Sequence, residues 1–224
     1  MIRIIETSPL QIMRILLLFL LMGSLSLQAQ NKSGITGKPD TSFTNYAALK
    51  MVVKQDPTIR LADYQSAKVK VHSFVYKTMG TRKLVVDEYA VSASRKLPTL
   101  VFFHGGGWRT GHRSQHIPLA KALADRGYRV FLVEYRLSTE ALYPAGMLDA
   151  QAALQWVSKR QNVGEIYVGG YSAGGQMAAL LGSVQDENTY GKGVKLAGAI
   201  DIDGILAFIH PESGEGDDSK RISA

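Results

Sequence analysis

Two glycine-rich stretches carry the residues that could do chemistry. Gly170-Tyr171-Ser172-Ala173-Gly174 sets one serine between glycines two positions away on either side. It follows a short apolar run and opens a stretch with helical spacing. A serine at a sharp strand-to-helix turn sits on a strained backbone, so the positions two away must be nearly free of side chains. Such a turn lifts the hydroxyl clear of a sheet and sets it at a helix N-terminus. There the helix dipole and free N–H groups favour developing negative charge. This is an arrangement for nucleophilic catalysis, and it carries a requirement. A serine hydroxyl is a poor nucleophile at neutral pH and needs a nearby base. The second stretch, His104-Gly105-Gly106-Gly107-Trp108, also follows an apolar run. A histidine before three glycines is the rarer of the two patterns, and both at strand ends are hard to obtain by accident.

These motifs need a scaffold of alternating strands and helices, and the chain supplies one. Val69 to Tyr76 and Lys83 to Tyr89 flank Met79-Gly80-Thr81, which predicts an antiparallel hairpin. Thr99 to Phe103 and Arg129 to Val133 are short apolar runs without alternation, as expected of strands buried on both faces. Leu119, Ala122 and Leu123 mark a helix over 118–126, with Pro118 near its start and Gly127 at its end. Met147, Ala150, Leu154 and Val157 predict the next helix, Glu165 to Val168 a strand, and Met177, Leu180, Leu181 and Val184 another helix. Leu196 to Ile202 is the last predicted strand. The span from His104 to Ser172 has room for two βα units of about 30 residues each. Alternation of this kind gives a mostly parallel sheet with helices on both faces, and the hairpin makes it mixed.

The front of the chain reads differently. Arg3 and Arg14 precede an apolar run, Ile15 to Met22, and small residues follow up to Ala29. That order describes a secretory signal peptide over residues 1–29, with an uncleaved anchor as the alternative. Residues 30–65 form an N-terminal leader: 30–45 are rich in Ser, Thr, Gly, Asn and Lys and read as flexible, and 46–63 are weakly helical until Asp56-Pro57. Residues 66–224 hold the domain.

Composition excludes several function classes. The 224 residues are 46% hydrophobic and 20% charged, which fits a globular fold. There is no cysteine, so disulfides, thiolate catalysis and thiolate-bound metals are excluded. The net charge is +7, but the basic residues are scattered and form no stripe. We therefore read them as a solvated surface and expect no nucleic-acid partner. No His/Asp/Glu cluster has metal-ligand spacing, and no lysine follows the elbow as in a nucleotide-binding loop, so neither metal nor cofactor is expected.

With these residues in place, the chain resembles the α/β-hydrolase superfamily. Within it, His104-Gly105-Gly106-Gly107-Trp108, Glu134-Tyr135-Arg136-Leu137-Ser138, Tyr143-Pro144-Ala145 and Gly169 to Gly175 look like the exported bacterial carbohydrate-esterase branch. Ile202-Asp203-Gly204-Ile205 through His210-Pro211-Glu212 looks like it too. That branch is similar to feruloyl and acetyl-xylan esterases. The resemblance implies a three-layer α/β-hydrolase sandwich and an exported serine esterase acting on a small ester or an acylated polysaccharide. It implies Ser172 as nucleophile. It also implies an oxyanion hole from the amides of Ala173 and Gly106, with Gly105 or Gly107 contributing. His104 would brace the glycine loop by a side-chain hydrogen bond and would not act as base. A formamidase- or peptidase-like hydrolase on the same fold is the alternative chemistry.

One part of the superfamily's order is not met. An acid and then a histidine should follow the serine, each after a further strand. After Ile202 the sequence runs into a polar tail, Glu212 to Ala224, so the last two strands are expected to be missing and the chain to be the front part of a longer enzyme. A catalytically dead fragment is the corresponding alternative. Asp203, at a strand's end, is a candidate displaced acid, and His210 a candidate base. Bland readings cover the rest. Asp149 is a helix-dipole partner in a first turn, and His72 lies on the surface. His112 and His116 are rim or surface, Trp108 is core or pocket wall, and Tyr171 packs.

Overall fold

The computed structural model describes residues 35–206 apart from 55, 62, 93 and 184–192. Six strands form one mixed sheet: β1 (Lys70–Met79), β2 (Arg82–Ala90), β3 (Leu97–Phe103), β4 (Arg129–Val133), β5 (Val163–Tyr171) and β6 (Leu196–Ile202). Their order is β1-β2-β4-β3-β5-β6. β1 and β2 make the expected hairpin, β2 runs antiparallel to β4, and β4, β3, β5 and β6 are mutually parallel. The helices are α1 (Asn45–Val53), α2 (Ile117–Asp125), α3 (Ala145–Ser158) and α4 (Ala173–Ser183), and a 3-10 turn, Arg113–His116, precedes α2.

Alternate residues of the central strands point to opposite faces, and each face has its own core. Leu100, Phe102, Val130 and Leu132 pack with Ala120 and Ala124 of α2. Val101, Phe103, Phe131, Val133 and Val168 pack on the other face with Met147, Ala150, Leu154 and Val157 of α3 and Met177, Ala178 and Leu181 of α4. All five residues of β4 are buried, so its lack of alternation follows from apolar layers on both sides. The result is the three-layer α/β-hydrolase arrangement.

The helix expected before Asp56-Pro57 ends at Val53, and Asp56-Pro57 begins a turn. Pro57 restricts the residue before it to extended backbone, which is a barrier to helix continuation. One boundary differs from that expected: β5 runs three residues past Val168, because Gly169 and Gly170 stay paired with both β3 and β6, and Tyr171 with β6. Small residues give no apolar signal, yet here they sit at the centre of the sheet.

Candidate active site

Ser172 sits between the end of β5 and the start of α4, with φ +52. A non-glycine residue in the left-handed region is costly, and such strain concentrates where function requires it. The local sequence makes the turn possible. A Cβ on Gly170 would collide with the backbone of Gly174, and one on Gly174 would collide with the backbone carbonyl of Phe103. Both positions must therefore be glycine for the strand to turn directly into a helix against β3. Ser172 N donates to Ile202 O at 2.8 Å, which ties the elbow to the end of β6. Ala173 opens α4 and is buried. The first amides of a helix have no intrahelical acceptor.

The glycine loop leaves the end of β3 beside this elbow. A Cβ on Gly105 would lie 2.8 Å from Tyr171 O and 3.2 Å from Ser172 Cβ, so the two motifs meet at Gly105. Gly106 has φ +121, and a Cβ there would collide with Thr110 O. Gly107 also has positive φ and faces open space. Of the residues singled out in the loop, Gly105 touches the elbow and Gly107 lies on the exposed side.

His104 is buried under the loop. Its Nδ1–H donates to Gly105 O at 2.7 Å, its ring stacks on Tyr135 at 4.5 Å, and Tyr135 Oη donates to His104 O at 2.7 Å. Burial pushes its pKa down to about 3 against that hydrogen bond, so the ring is neutral at ordinary pH. A nitrogen committed in this way is a brace and a poor proton acceptor.

The other histidines divide. His72 is exposed on β1. His112 caps the 3-10 turn, with its Nδ1 2.8 Å from Ser114 Oγ. His116 is more deeply placed than a surface residue. Its ring lies 4.8 Å from Phe102 and 6.2 Å from Tyr171, the residue before Ser172. Burial lowers its pKa to about 4. Tyr171 packs as expected, in the core on the α2 face. Trp108 packs against the opposite core.

Asp203 follows β6 in the turn tied to the elbow, with φ +59. Burial and the neighbouring Asp201 raise its pKa, and its charge is felt at Tyr171. The Asp201 carboxylate accepts from Gly204 N at 2.8 Å and closes that turn. His210 and residues 1–29, read as a signal peptide, lie outside the described residues.

Two features had no sequence signal. Thr36 and Gly37 are hydrogen-bonded to Thr139, and Asp40, Phe43 and Asn45 to Gly111, Thr110 and Gln115 after the glycine loop. Asp149 is not in the first turn of α3. It is wholly buried and pairs with Lys77 of β1 and Arg136 after β4.

The family model described as BD-FAE matches residues 86–221. Carboxylesterase NlhH of Mycobacterium tuberculosis is 41% identical over 91 residues, covering 38% of this chain and 28% of that protein. Carboxylic ester hydrolase LipN of the same organism is 36% identical over 100 residues, covering 42% of this chain and 27% of that protein. A solved thermophilic esterase from Thermogutta terrifontis, Est2 with propionate bound, is 28% identical with a TM-score of 0.47. It covers 52% of this chain and 46% of that one. The chain thus spans less than a third of the length of the two curated relatives.

Proposed function

This chain belongs to the BD-FAE family, and on that premise we propose that it hydrolyses carboxylic esters through an acyl-enzyme on Ser172. The observation that carries the reading is the strained Ser172 at the head of α4 with Gly105 pressed against it. In this mechanism Ser172 Oγ attacks the ester carbonyl and loses its proton to a base. The carbonyl oxygen becomes an oxyanion held by the amides of Ala173 and Gly106, with Gly105 or Gly107 assisting. Each such donor is worth roughly 3 kcal/mol in the transition state. Collapse expels the alcohol, and water then releases the acid and restores the serine.

His104 does not serve as the base, because its Nδ1–H is spent on Gly105 and its pKa is far too low. Asp203 is the candidate acid among the described residues. It follows Ile202, whose carbonyl accepts from Ser172 N, so the turn that carries it is tied to the elbow. His210 is the candidate base that the sequence offers after the serine, and it lies outside the described residues.

The curated relatives carry the names carboxylesterase and carboxylic ester hydrolase, which supports ester over amide substrates. We further propose acetyl or feruloyl esters on plant polysaccharide as the substrate class, on the resemblance of the motifs to the carbohydrate-esterase branch. Residues 1–29, read as a signal peptide, support export.

The test is labelling and turnover. A fluorophosphonate should attach to Ser172, located by peptide mapping. Ser172→Ala should lower kcat/KM on p-nitrophenyl acetate by about a thousandfold or more. Undiminished turnover in Ser172→Ala would overturn the nucleophile. A feruloyl ester, an acetylated xylan, a formamide and a peptide in the same assay rank the substrate classes, and faster peptide or formamide cleavage would overturn the ester reading.

A further inference from the structure

The stretch before α1, a flexible leader by its composition, is fastened to the loop that carries the glycines. Thr36 N and Gly37 N donate to Thr139 O at 2.8 and 3.0 Å. Gly111 N donates to Asp40 O at 3.0 Å, and Phe43 N to Thr110 Oγ1 at 3.2 Å. Gln115 Nε2 donates to Phe43 O at 3.2 Å, and Asn45 Nδ2 to Gln115 O at 2.6 Å. Ser42, and then the Thr110 hydroxyl, hold the Asp40 carboxyl below its usual pKa. The segment is therefore anchored at both ends and in the middle.

The middle anchors bear on the site. Gly111 has φ +113, and a Cβ there would collide with Gly105 O and come within 2.7 Å of His104 Nδ1. Gly111 thus rests on Gly105, and Gly105 rests on Tyr171 and Ser172. Thr110 N donates to Gly106 O at 3.0 Å, while Thr110 O fills the space beside Gly106. A short path of contacts runs from Asp40 and Phe43 through Thr110, Gly111 and Gly105 to the serine.

We propose that Thr36–Asn45 is a strap that fixes the glycine loop against Ser172, with Thr110 as its positioning residue. Its catalytic consequence rests on the ester-hydrolase reading, while its structural consequence does not. An oxyanion hole works because its donors are aimed before the charge appears. The glycines that let the loop approach the serine also leave it conformationally free. The strap removes that freedom from outside the sheet. A cleft of about 220 Å³ lies along the seam, lined by Phe43, Asn45, Tyr46, His112 and Gln115 among others. The Asn45, His112 and Gln115 side chains are hydrogen-bonded within the chain, as expected of a seam.

The experiment compares the full chain with Thr110→Val, Thr110→Ser and Asn45→Ala. Valine keeps the volume and loses the hydroxyl, serine keeps the hydroxyl, and Asn45→Ala loosens the far anchor. Amide exchange at 105–111 should quicken by about tenfold or more in Thr110→Val and Asn45→Ala and stay near wild type in Thr110→Ser. On p-nitrophenyl acetate, kcat should fall about tenfold in Thr110→Val with KM within about twofold, because donors aimed wrongly cost the transition state more than the ground state. Thr110→Ser should restore it. Wild-type exchange rates in Thr110→Val and Asn45→Ala would overturn the strap. So would faster exchange with unchanged kcat. If Thr110→Val does not fold, Asn45→Ala decides by the same two readouts. A wild type that turns over no ester would overturn the hydrolase reading alone, and the exchange rates would still decide the strap.

Discussion

His116 and His104 are held where a positive charge is costly. The His116 ring lies between Phe102 and Tyr171, and its buried Nε2 has no hydrogen-bond partner among the described residues. The unfolded chain takes up a proton on each ring near pH 6.5, while the folded chain holds them neutral until about 4 for His116 and about 3 for His104. Below pH 6.5 the unfolded state binds more protons than the folded one. The stability contributed by the neutral rings is therefore complete above pH 6.5 and is lost as the pH falls toward 4. The urea midpoint should decline through this window. His116→Phe keeps the aromatic contacts and removes the titration, so its midpoint should exceed that of the wild type at pH 5 and differ little at pH 8. The same pH slope in both proteins would mean that His116 charges readily inside the fold. The sequence placed these two differently. His104 could be given its bracing role, because the resemblance carried by the His-Gly-Gly-Gly motif implies it. His116 could not, since the rings that bury it come from β3 and the end of β5, far away in the chain.

Asp149 shows what an element's sequence hides. It is the fifth residue of α3 and fully buried. Its carboxylate receives Lys77 Nζ at 2.5 Å and Arg136 Nε and Nη2 at 2.7 and 2.9 Å, and it also accepts from Arg136 N at 3.1 Å. One side chain thus joins α3, β1 and the loop after β4. A buried carboxylate is tolerable only with such partners. The two cations are partly exposed and recover water when the acid is removed, so Asp149→Asn should cost about 2 kcal/mol, below the range for fully buried pairs. Equilibrium urea unfolding measures it, and a change under about 0.5 kcal/mol would show that the cluster adds nothing net. Elements were legible where the signal is local. The apolar runs of β3, β4 and β6 and the 3.6-residue spacing of α3 mark themselves. Asp149 was not, because Lys77 stands 72 residues away and helical position says nothing of a distant partner. The strap was hidden for the same reason, with Asn45 and Gln115 70 residues apart and a polar composition that suits a loose tail equally well.

At the scale of the whole molecule, the site lies between a rigid centre and a lighter edge. β3 and β4 are buried almost throughout, whereas β1 and β6 expose many of their residues. β6 also pairs with one neighbour, β5, among the described residues. Ser172 belongs to both regions, since β5 delivers it from the centre while its amide bonds to Ile202 at the end of β6. Exchange follows local opening, and strands covered on both faces open only with the whole fold. Amides of Leu100–Phe103 and Val130–Val133 should therefore exchange slowest, and those of β6 should exchange faster by about tenfold or more. Hydrogen exchange read by mass spectrometry resolves the strands. If β6 matches β3, the sheet opens as one unit and the elbow is held as firmly from its outer side as from its inner one. If β6 is faster, the serine's position is set chiefly by β5, α4 and the strapped glycine loop. Ligands bound at the serine should then slow exchange in β6 more than in β3, because β6 has protection left to gain.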